Sequence, residues 1–325
     1  MRIVVMVTAY PPGHCAGSEV MVHTMLRPLA ARGHQVDVVL SRDRGDPYEL
    51  DDVRVHPHRD KRDVLRFLPN ADVIVGHLEN APRSVALGRM HRLPVVQVCH
   101  NTDLHTDGYV RRGADLMVFN SEHMARRYRG QGGPSIIVRP PVDRVEYETT
   151  PGDAITLINL SRDKGAGVFY ALAERFPDRQ FLAVRGAYGT QIVRDLPNVT
   201  ILPHLPAARM RDEVYARTRI LLMPSLHESW GRVGVEAMCS GIPVIASPTD
   251  GLREALGAAG LFAADVDGWE AQLRALLDGR HFRAASRKAK SRAVELDPAA
   301  DLARWVEAIE TLGERSRRVR TCHAR

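Results

Sequence analysis

Two glutamates, Glu228 and Glu236, stand eight positions apart in the stretch HESWGRVGVEAM. Between them lie Trp230, Gly231 and Gly234, and the run from Arg232 reads as a helix. A helix start presents backbone N–H groups and a partial positive charge, so it seats anions. An ionised carboxylate accepts hydrogen bonds, hydroxyl donors included. The pattern fits a site that holds an anion at the helix start and hydroxyl groups on the two acids. Taken alone, it fits equally well a solvated helix with two surface acids. Further cations stand nearby in type. Lys164, one of only four lysines in the chain, follows a strand-like run and directly precedes Gly165; Arg162 stands two residues before it, and Arg185 closes another such run. His77 and His100 also end strand-like runs. A histidine placed so is either a polar packing residue or a proton-carrying group of a site. Asp265-Val266-Asp267 has the spacing of a metal-binding acid pair, but it stands in a turn before a helix, where an aspartate caps. KGAG and GAYG lack the full spacing of a dinucleotide fingerprint.

The elements that must position these residues alternate. RIVVMVTAY is a buried-strand run that ends in the loop PPGHCAGS, and a helix over about 18–32 stops at Gly33. HQVDVVLS, ADVIVGH, LPVVQVCH, ADLMVFN and SIIVRP follow as strands, with helical stretches at 61–68, 82–91 and 121–129. The pattern then restarts. AITLINLS, QFLAVRG, NVTILPH, RILLMPS, IPVIAS and GLFAA read as strands, with helices at 164–175, near 207–217, 232–240 and 251–257, and a wholly helical tail from about 267. Strands alternating with helices imply parallel sheets covered on both faces. Two successive doubly wound α/β units are expected, joined through the proline-rich, polar stretch near 140–152. The boundaries so read are 1–147, 148–298 and a final helix with a basic tail at 299–325, whose stripe Leu302, Trp305, Val306, Ile309 and Leu312 needs a surface on the first unit. Open parallel sheets bind ligands beyond the carboxyl ends of their strands. The residues named above, and Gly17 after the first strand, fall at such ends.

At this point the sequence resembles the retaining nucleotide-sugar glycosyltransferases of family GT4, the group 1 glycosyl transferases with the GT-B fold. PSLHESWGRVGVEAMCSGIPVIAS followed by GLREALG resembles the family's E-x7-E signature and its continuation. AGSEVMVHTMLRPLAARGHQVDVV, ADLMVFNSEHM and KGAGVFYALAERFPDRQFLAV resemble its first glycine loop and helix, its first-unit serine segment and its lysine-glycine stretch. The resemblance covers nearly the whole chain. It implies two Rossmann-like domains facing a central cleft, the first binding an acceptor and the second a nucleotide-sugar donor, with the last helix crossing back. It implies retaining transfer of a sugar from a nucleotide diphosphate sugar to a hydroxyl acceptor. The resemblance also implies roles. Glu228 would meet the donor sugar's hydroxyls and Glu236 the ribose. Lys164, and Arg162 as a bidentate fork, would meet the pyrophosphate, together with the backbone of Ser229, Trp230, Gly231, Arg232 and Val233. His100 would stand near the reacting sugar, Gly17 would bring backbone close to phosphate or sugar, and His204 and Leu205 in the PHLP segment would offer backbone to the nucleobase. The family's arginine usually precedes the lysine by several residues, whereas here the gap is one, and Arg185 stands where the family often has glycine. No metal or other cofactor is expected, because the helix start and Lys164 supply the positive charge.

Composition bounds the partners. The 325 residues suffice for two cores, and 44% hydrophobic with 26% charged residues is ordinary for a globular protein. Four scattered cysteines form no CxxC pair, and no apolar run reaches the length of a membrane span. A cytoplasmic protein is therefore expected. The net charge of +6 admits a polyanion partner, but an arginine excess over lysine also follows from codon usage in a GC-rich genome. KRDVLRFL, residues 61–68, reads as an amphipathic helix that could seat on the anionic inner face of a membrane. Two other functions fit the same features: a nucleotide-sugar epimerase on this architecture, and a nucleic-acid-binding protein using RHFRAASRKAKSR and ERSRRVR. The acceptor is not legible.

Overall fold

The computed structural model describes residues 1–42, 45–57, 61–101 and 113–323, leaving the side chains of 61, 62 and 319–323 outside the description. The chain divides into two compact units: Met1–His14, Ser18–Pro141 and Ala299–Arg325 form one, and Cys15–Gly17 with Val142–Pro298 form the other.

The first unit is built on the strands β1 (Arg2–Val7), β2 (Gln35–Leu40), β3 (Tyr48–Leu50), β4 (Val53–His56), β5 (Val73–His77), β6 (Val95–Cys99), β7 (Leu116–Phe119) and β8 (Ser135–Ile137). They lie in the order β3-β4-β2-β1-β5-β6-β7-β8, and every pair but β3–β4 is parallel. The central strands are rich in valine and isoleucine and are buried along nearly their whole length, as a sheet covered on both faces requires. Helices α1 (Gly17–Ala31), α2 (Ala81–His91) and α3 (Glu122–Arg127) belong to this part of the chain. The second unit holds β9 (Ala154–Ile158), β10 (Phe181–Val184), β11 (Val199–Leu202), β12 (Thr218–Met223), β13 (Val244–Ala246) and β14 (Leu261–Phe262), all parallel in the order β11-β10-β9-β12-β13-β14. Its helices are α4 (Arg144–Tyr147), α5 (Ala166–Arg175), α6 (Ala207–Glu213), α7 (Arg232–Cys239), α8 (Asp250–Leu256), α9 (Val266–Leu277) and α10 (Gly279–Glu295).

The last helix, α11 (Ala299–His323), belongs to the first unit. Trp305, Val306 and Ile309 are buried in the core that holds β1 and α1, and the Trp305 indole donates to the Met25 carbonyl at 2.8 Å. Asp301 accepts from the Arg139 backbone N–H at 3.0 Å, and Glu310 accepts from the Arg32 guanidinium.

Strand order locates the ligand-binding end of each sheet. In the second unit the chain moves outward from β9 to β10 and β11, then returns to β12 on the other side of β9. Helices therefore leave β9 and β12 in opposite directions, which makes the carboxyl ends of these two strands the switch point at which open parallel sheets bind ligands. Lys164 lies in the loop after β9 and Glu228 in the loop after β12.

Three expectations change. The hairpin β3–β4 was not foreseen: its strands are short, and its turn is Asp51-Asp52, at φ 49° and 60°, rather than a glycine-bearing pair. Residues 61–70 form two 3-10 segments, Lys61–Arg66 and Leu68–Asn70, instead of one amphipathic helix. Val64, Phe67 and Leu68 are turned into the protein, so their apolar face is used for packing; the Lys61 and Arg62 side chains lie outside the described residues. Finally, the polar linker is not all linker. Val142 and Tyr147 are part of the second core, which accordingly begins at Val142 rather than at 148.

Candidate active site

The loop after β9 turns through a 3-10 segment, Arg162–Lys164, and then through Gly165 at φ 85°. A β-carbon on Gly165 would stand 2.4 Å from both the ring and the carbonyl oxygen of Pro224. Glycine is thus required twice over, for the left-handed backbone and for the approach of the loop that follows β12. A backbone bond from Leu226 N to the Asp163 carbonyl at 2.9 Å ties the two loops together. Across this junction the Lys164 ammonium donates to Glu228 Oε1, which also accepts from Ser225 Oγ at 3.2 Å. The side chains of Lys164 and Glu228 keep 34% and 15% of their exposure, so the pair stays accessible.

Seven residues on from Lys164's partner loop start, the chain enters α7 through Gly231, at φ 99°. The N-cap residue Gly231 has no side chain with which to cap this helix start, and a β-carbon on it would meet Leu252 Cδ2 at 2.5 Å. The first-turn N–H groups of an uncapped helix are donors for an anion. Ser229 is half-buried beside it, whereas Trp230 is buried in the core and its indole N–H has no partner among the described residues.

Glu236, one turn into α7, is 5% exposed. Its Oε2 accepts from Tyr215 Oη at 2.6 Å and its Oε1 from Arg232 Nε at 2.7 Å. Arg232 is equally buried and also donates, through Nη2, to Tyr147 Oη at 3.1 Å. Burial works against the Arg232 charge, but the oxygens of Tyr147 and Glu236 outweigh it and hold its pKa above the ordinary arginine value. Burial, then the Glu236 charge, pushes Tyr215 well above the usual phenol range, so it remains a donor. The expectation that Arg232 offers only its backbone is therefore incomplete: its side chain turns inward to the second glutamate of the signature.

The remaining candidates are dispersed. Val233 is half-buried on α7. Arg162 and Arg185 are exposed at the ends of β9 and β10, and among the described residues neither makes an ion pair. Leu205 is a core side chain and His204 is half-buried. Gly17 opens α1, is exposed, and has open space where a β-carbon would stand, so no close approach of protein groups demands glycine there. In the first unit, His100 Nδ1 lies 3.3 Å from Met21 Sδ, and its carbonyl accepts from Asn120 at 2.8 Å. Its ring stands edge-on to His77, with centroids 6.1 Å apart. Burial first, and His100 second, bring the His77 pKa down to about 3, so His77 is neutral. Asp265 caps α9, accepting from Gly268 N at 2.8 Å, and Asp267 pairs with Arg175.

Residues not singled out by sequence complete the arrangement. Gln191 accepts from Leu160 N at 3.0 Å and Gly186 N at 2.8 Å, and donates to Asn159 Oδ1 at 3.0 Å, clasping the loops after β9 and β10. Tyr215 and Tyr147 fix Glu236 and Arg232, as Ser225 of the signature segment fixes Glu228. No motif spacing marks Tyr215, Tyr147 or Gln191, because each acts across a distance set only by the fold.

Comparison with known proteins agrees with this architecture. A family model described as "Glycosyltransferase Family 4" matches residues 16–145, and one described as "Glycosyl transferases group 1" matches residues 167–279. The D-inositol 3-phosphate glycosyltransferase of Nocardia farcinica is 30% identical over 151 residues, covering 45% of this chain and 30% of that protein. That of Mycolicibacterium vanbaalenii is 31% identical over 199 residues, covering 48% and 43%. The matches thus span less than half the length of these curated relatives. Among solved structures, sucrose-phosphate synthase from Thermosynechococcus elongatus superposes with TM-score 0.72 at 17% identity, covering 99% of this chain and 100% of that one. Anabaena HepE in complex with UDP gives TM-score 0.72 at 17% identity, covering 96% and 100%. WaaG, a glycosyltransferase involved in lipopolysaccharide biosynthesis, gives 0.69 at 16%, covering 94% and 99%. With one family model on each unit, and two parallel-sheet domains of the GT-B type, the chain belongs to the group 1, family 4 glycosyltransferases.

Proposed function

We propose that this protein transfers a sugar from a nucleotide diphosphate sugar to a hydroxyl acceptor, retaining the donor's anomeric configuration and using no metal ion. The observation that carries the reading is the Lys164–Glu228 pair at the switch point of the second sheet, followed along the chain by the uncapped start of α7. A donor pyrophosphate carries about two negative charges and gains more as the glycosidic bond breaks. Fixed N–H donors and an ammonium aimed at that growing charge lower the barrier without reorganising. An ammonium has three protons, so Lys164 can donate to Glu228 and to a phosphate oxygen together. Glu228, held by Ser225, is then placed to accept from the hydroxyls of the sugar being transferred, Glu236 from those of the ribose. Arg162 and Arg185 are exposed cations on the neighbouring strand ends and serve the outer phosphate oxygens. His100, in the first unit, is assigned to the reacting sugar, and Gly17 to a backbone contact with the donor.

HepE was solved with UDP, and a pneumococcal O-GlcNAc transferase of 12% identity with UDP and GlcNAc, which supports a nucleotide-sugar donor of this class. The relatives' names point to a phosphorylated cyclitol as the first acceptor to assay. Incubation with a panel of nucleotide sugars in excess chelator, with and without acceptor, tests the reading. Slow donor hydrolysis alone and faster turnover with acceptor are expected, and NMR of the product should show the donor's anomeric configuration. Activity that vanishes in chelator and returns with magnesium or manganese would overturn metal independence. Inversion at the anomeric carbon would overturn retention.

A further inference from the structure

Glu236 is almost wholly buried, yet the role proposed for it requires an ionised carboxylate that still accepts from a ligand. A buried carboxylate without a cation gives up its charge. Arg232, one helical turn before it on α7, supplies that cation in a charge-assisted bond at 2.7 Å, and Tyr215 supplies the second donor at 2.6 Å. Each carboxylate oxygen therefore has one protein donor. A carboxylate offers about four acceptor directions over its two oxygens, so about one remains on each. That matches in number the two hydroxyls of a ribose. Arg232 is itself anchored by its bond to Tyr147, at the end of α4, and Tyr147 is in turn fixed through its carbonyl, which accepts from Ser240 Oγ at 2.9 Å. The carboxylate is thus held at both oxygens, by the Arg232 Nε–H on Oε1 and by the Tyr215 phenol on Oε2, before any ligand arrives.

We infer that Arg232 and Tyr215 are positioning residues: they hold the Glu236 carboxylate oriented so that its two remaining acceptor directions select a nucleotide bearing both ribose hydroxyls. The inference rests on the ribose reading of Glu236. It goes beyond that reading in assigning discrimination between ribonucleotide and deoxyribonucleotide to side chains that never touch the ligand. A lysine is not equivalent here: it would supply the charge, but not the rigid planar group that donates to Glu236 through Nε and to Tyr147 through Nη2 at once.

The experiment compares binding of UDP and GDP with that of their 2′-deoxy counterparts by calorimetry, for wild type, Arg232→Met, Arg232→Lys and Tyr215→Phe. Wild type should prefer the ribonucleotide by about tenfold or more, as the loss of one hydrogen bond to a charged group implies. Arg232→Met should bring that preference below about threefold, with Arg232→Lys between the two. Tyr215→Phe, which removes one oxygen and keeps the ion pair, should lower it in part and serves as the second probe if Arg232→Met does not fold. A wild-type preference retained in full by Arg232→Met, or by Tyr215→Phe where Arg232→Met is not folded, would overturn the positioning role. A wild type that binds ribonucleotide and deoxyribonucleotide alike would instead remove the ribose reading of Glu236, and the inference with it.

Discussion

Lys164 and Glu228 are bonded to each other, and the proposed chemistry asks different things of each. On that proposal Lys164 meets the pyrophosphate in ground state and transition state alike, whereas Glu228 acts on the sugar that reacts. Lys164→Ala should therefore raise the donor KM and lower kcat together, while Glu228→Ala should lower kcat by about 10²–10³-fold with little change in KM. Steady-state kinetics with a single donor checks both, and a wild-type kcat in Glu228→Ala would exclude it from the site. The second glutamate needs a different probe. Glu236→Ala should weaken binding of a nucleoside diphosphate by about 2–3 kcal/mol. It also leaves Arg232 buried without its carboxylate, a loss of about 3–5 kcal/mol of stability. Glu236→Gln keeps an acceptor and should lose less of both, so calorimetry on the glutamine variant, alongside urea denaturation, separates binding from folding. Equal affinity for wild type and both variants would leave Glu236 no ligand role. The two glutamates and the glycine at the helix start stand out in sequence because local spacing along one loop and one helix brings them out, and Lys164, on another loop, because it is one of four lysines and directly precedes a glycine after a strand. Tyr215, Tyr147 and Gln191 were not: their partners lie 21, 85 and 32 residues away, and nothing in a local pattern records such a pairing.

At the scale of the elements, the buried valine- and isoleucine-rich runs announced nearly every strand of the two parallel sheets, because a strand covered on both faces has no polar side to blur it. The elements misread are those with mixed faces: the edge hairpin β3–β4, and the 61–70 segment, whose apolar residues fit a helix period as well as two tight turns. The junction between the loops after β9 and β12 depends on backbone more than on side chains. Gly165→Ala and Gly231→Ala each put a β-carbon within 2.5 Å of a neighbour and force a left-handed residue, so each should lose about 1–3 kcal/mol of stability or more, measured by urea denaturation. Unchanged stability in either would mean that the loop relaxes without strain. In the first sheet, Asp37 on β2 gathers Arg2 from β1 and Arg54 and His56 from β4. Burial alone would raise its pKa, but bonds from His56, Gln35 and Arg2, with the Arg54 charge, bring it down to about 2. A depressed carboxylate pKa stabilises the fold above the unfolded value of about 4 and loses that contribution as pH falls through the folded value near 2. Asp37→Asn should therefore cost about 2 kcal/mol at pH 7, a difference that narrows below pH 4 and closes near pH 2 in denaturation curves. A gap independent of pH would assign the effect to packing instead.

For the molecule as a whole, the two-unit organisation was readable from the restart of the strand–helix pattern, and the need of the final helix for a surface from its apolar stripe. The exact partition was not, since Tyr147 sits in a polar, proline-rich stretch yet packs in the second core. Trp305 joins α11 to α1 and lies wholly inside the first core. Trp305→Ala should cost about 3–5 kcal/mol, felt in the first unit. Ending the chain before Asp301 should unfold that unit while the second keeps its own transition in calorimetry; a melting curve unchanged by the truncation would show that α11 contributes nothing. Because the first unit closes only with α11, the order of synthesis is not the order of completion. The strands of that unit emerge from the ribosome first and then wait while the whole of Val142–Pro298 is made. At ~5–20 residues per second that interval is on the order of 10–30 s, long enough for the second unit to fold and leave the older half of the chain as the last to finish. During that time the surface destined for Trp305, Val306 and Ile309 stands open, and it is there that a chaperone holding the nascent chain has most to cover.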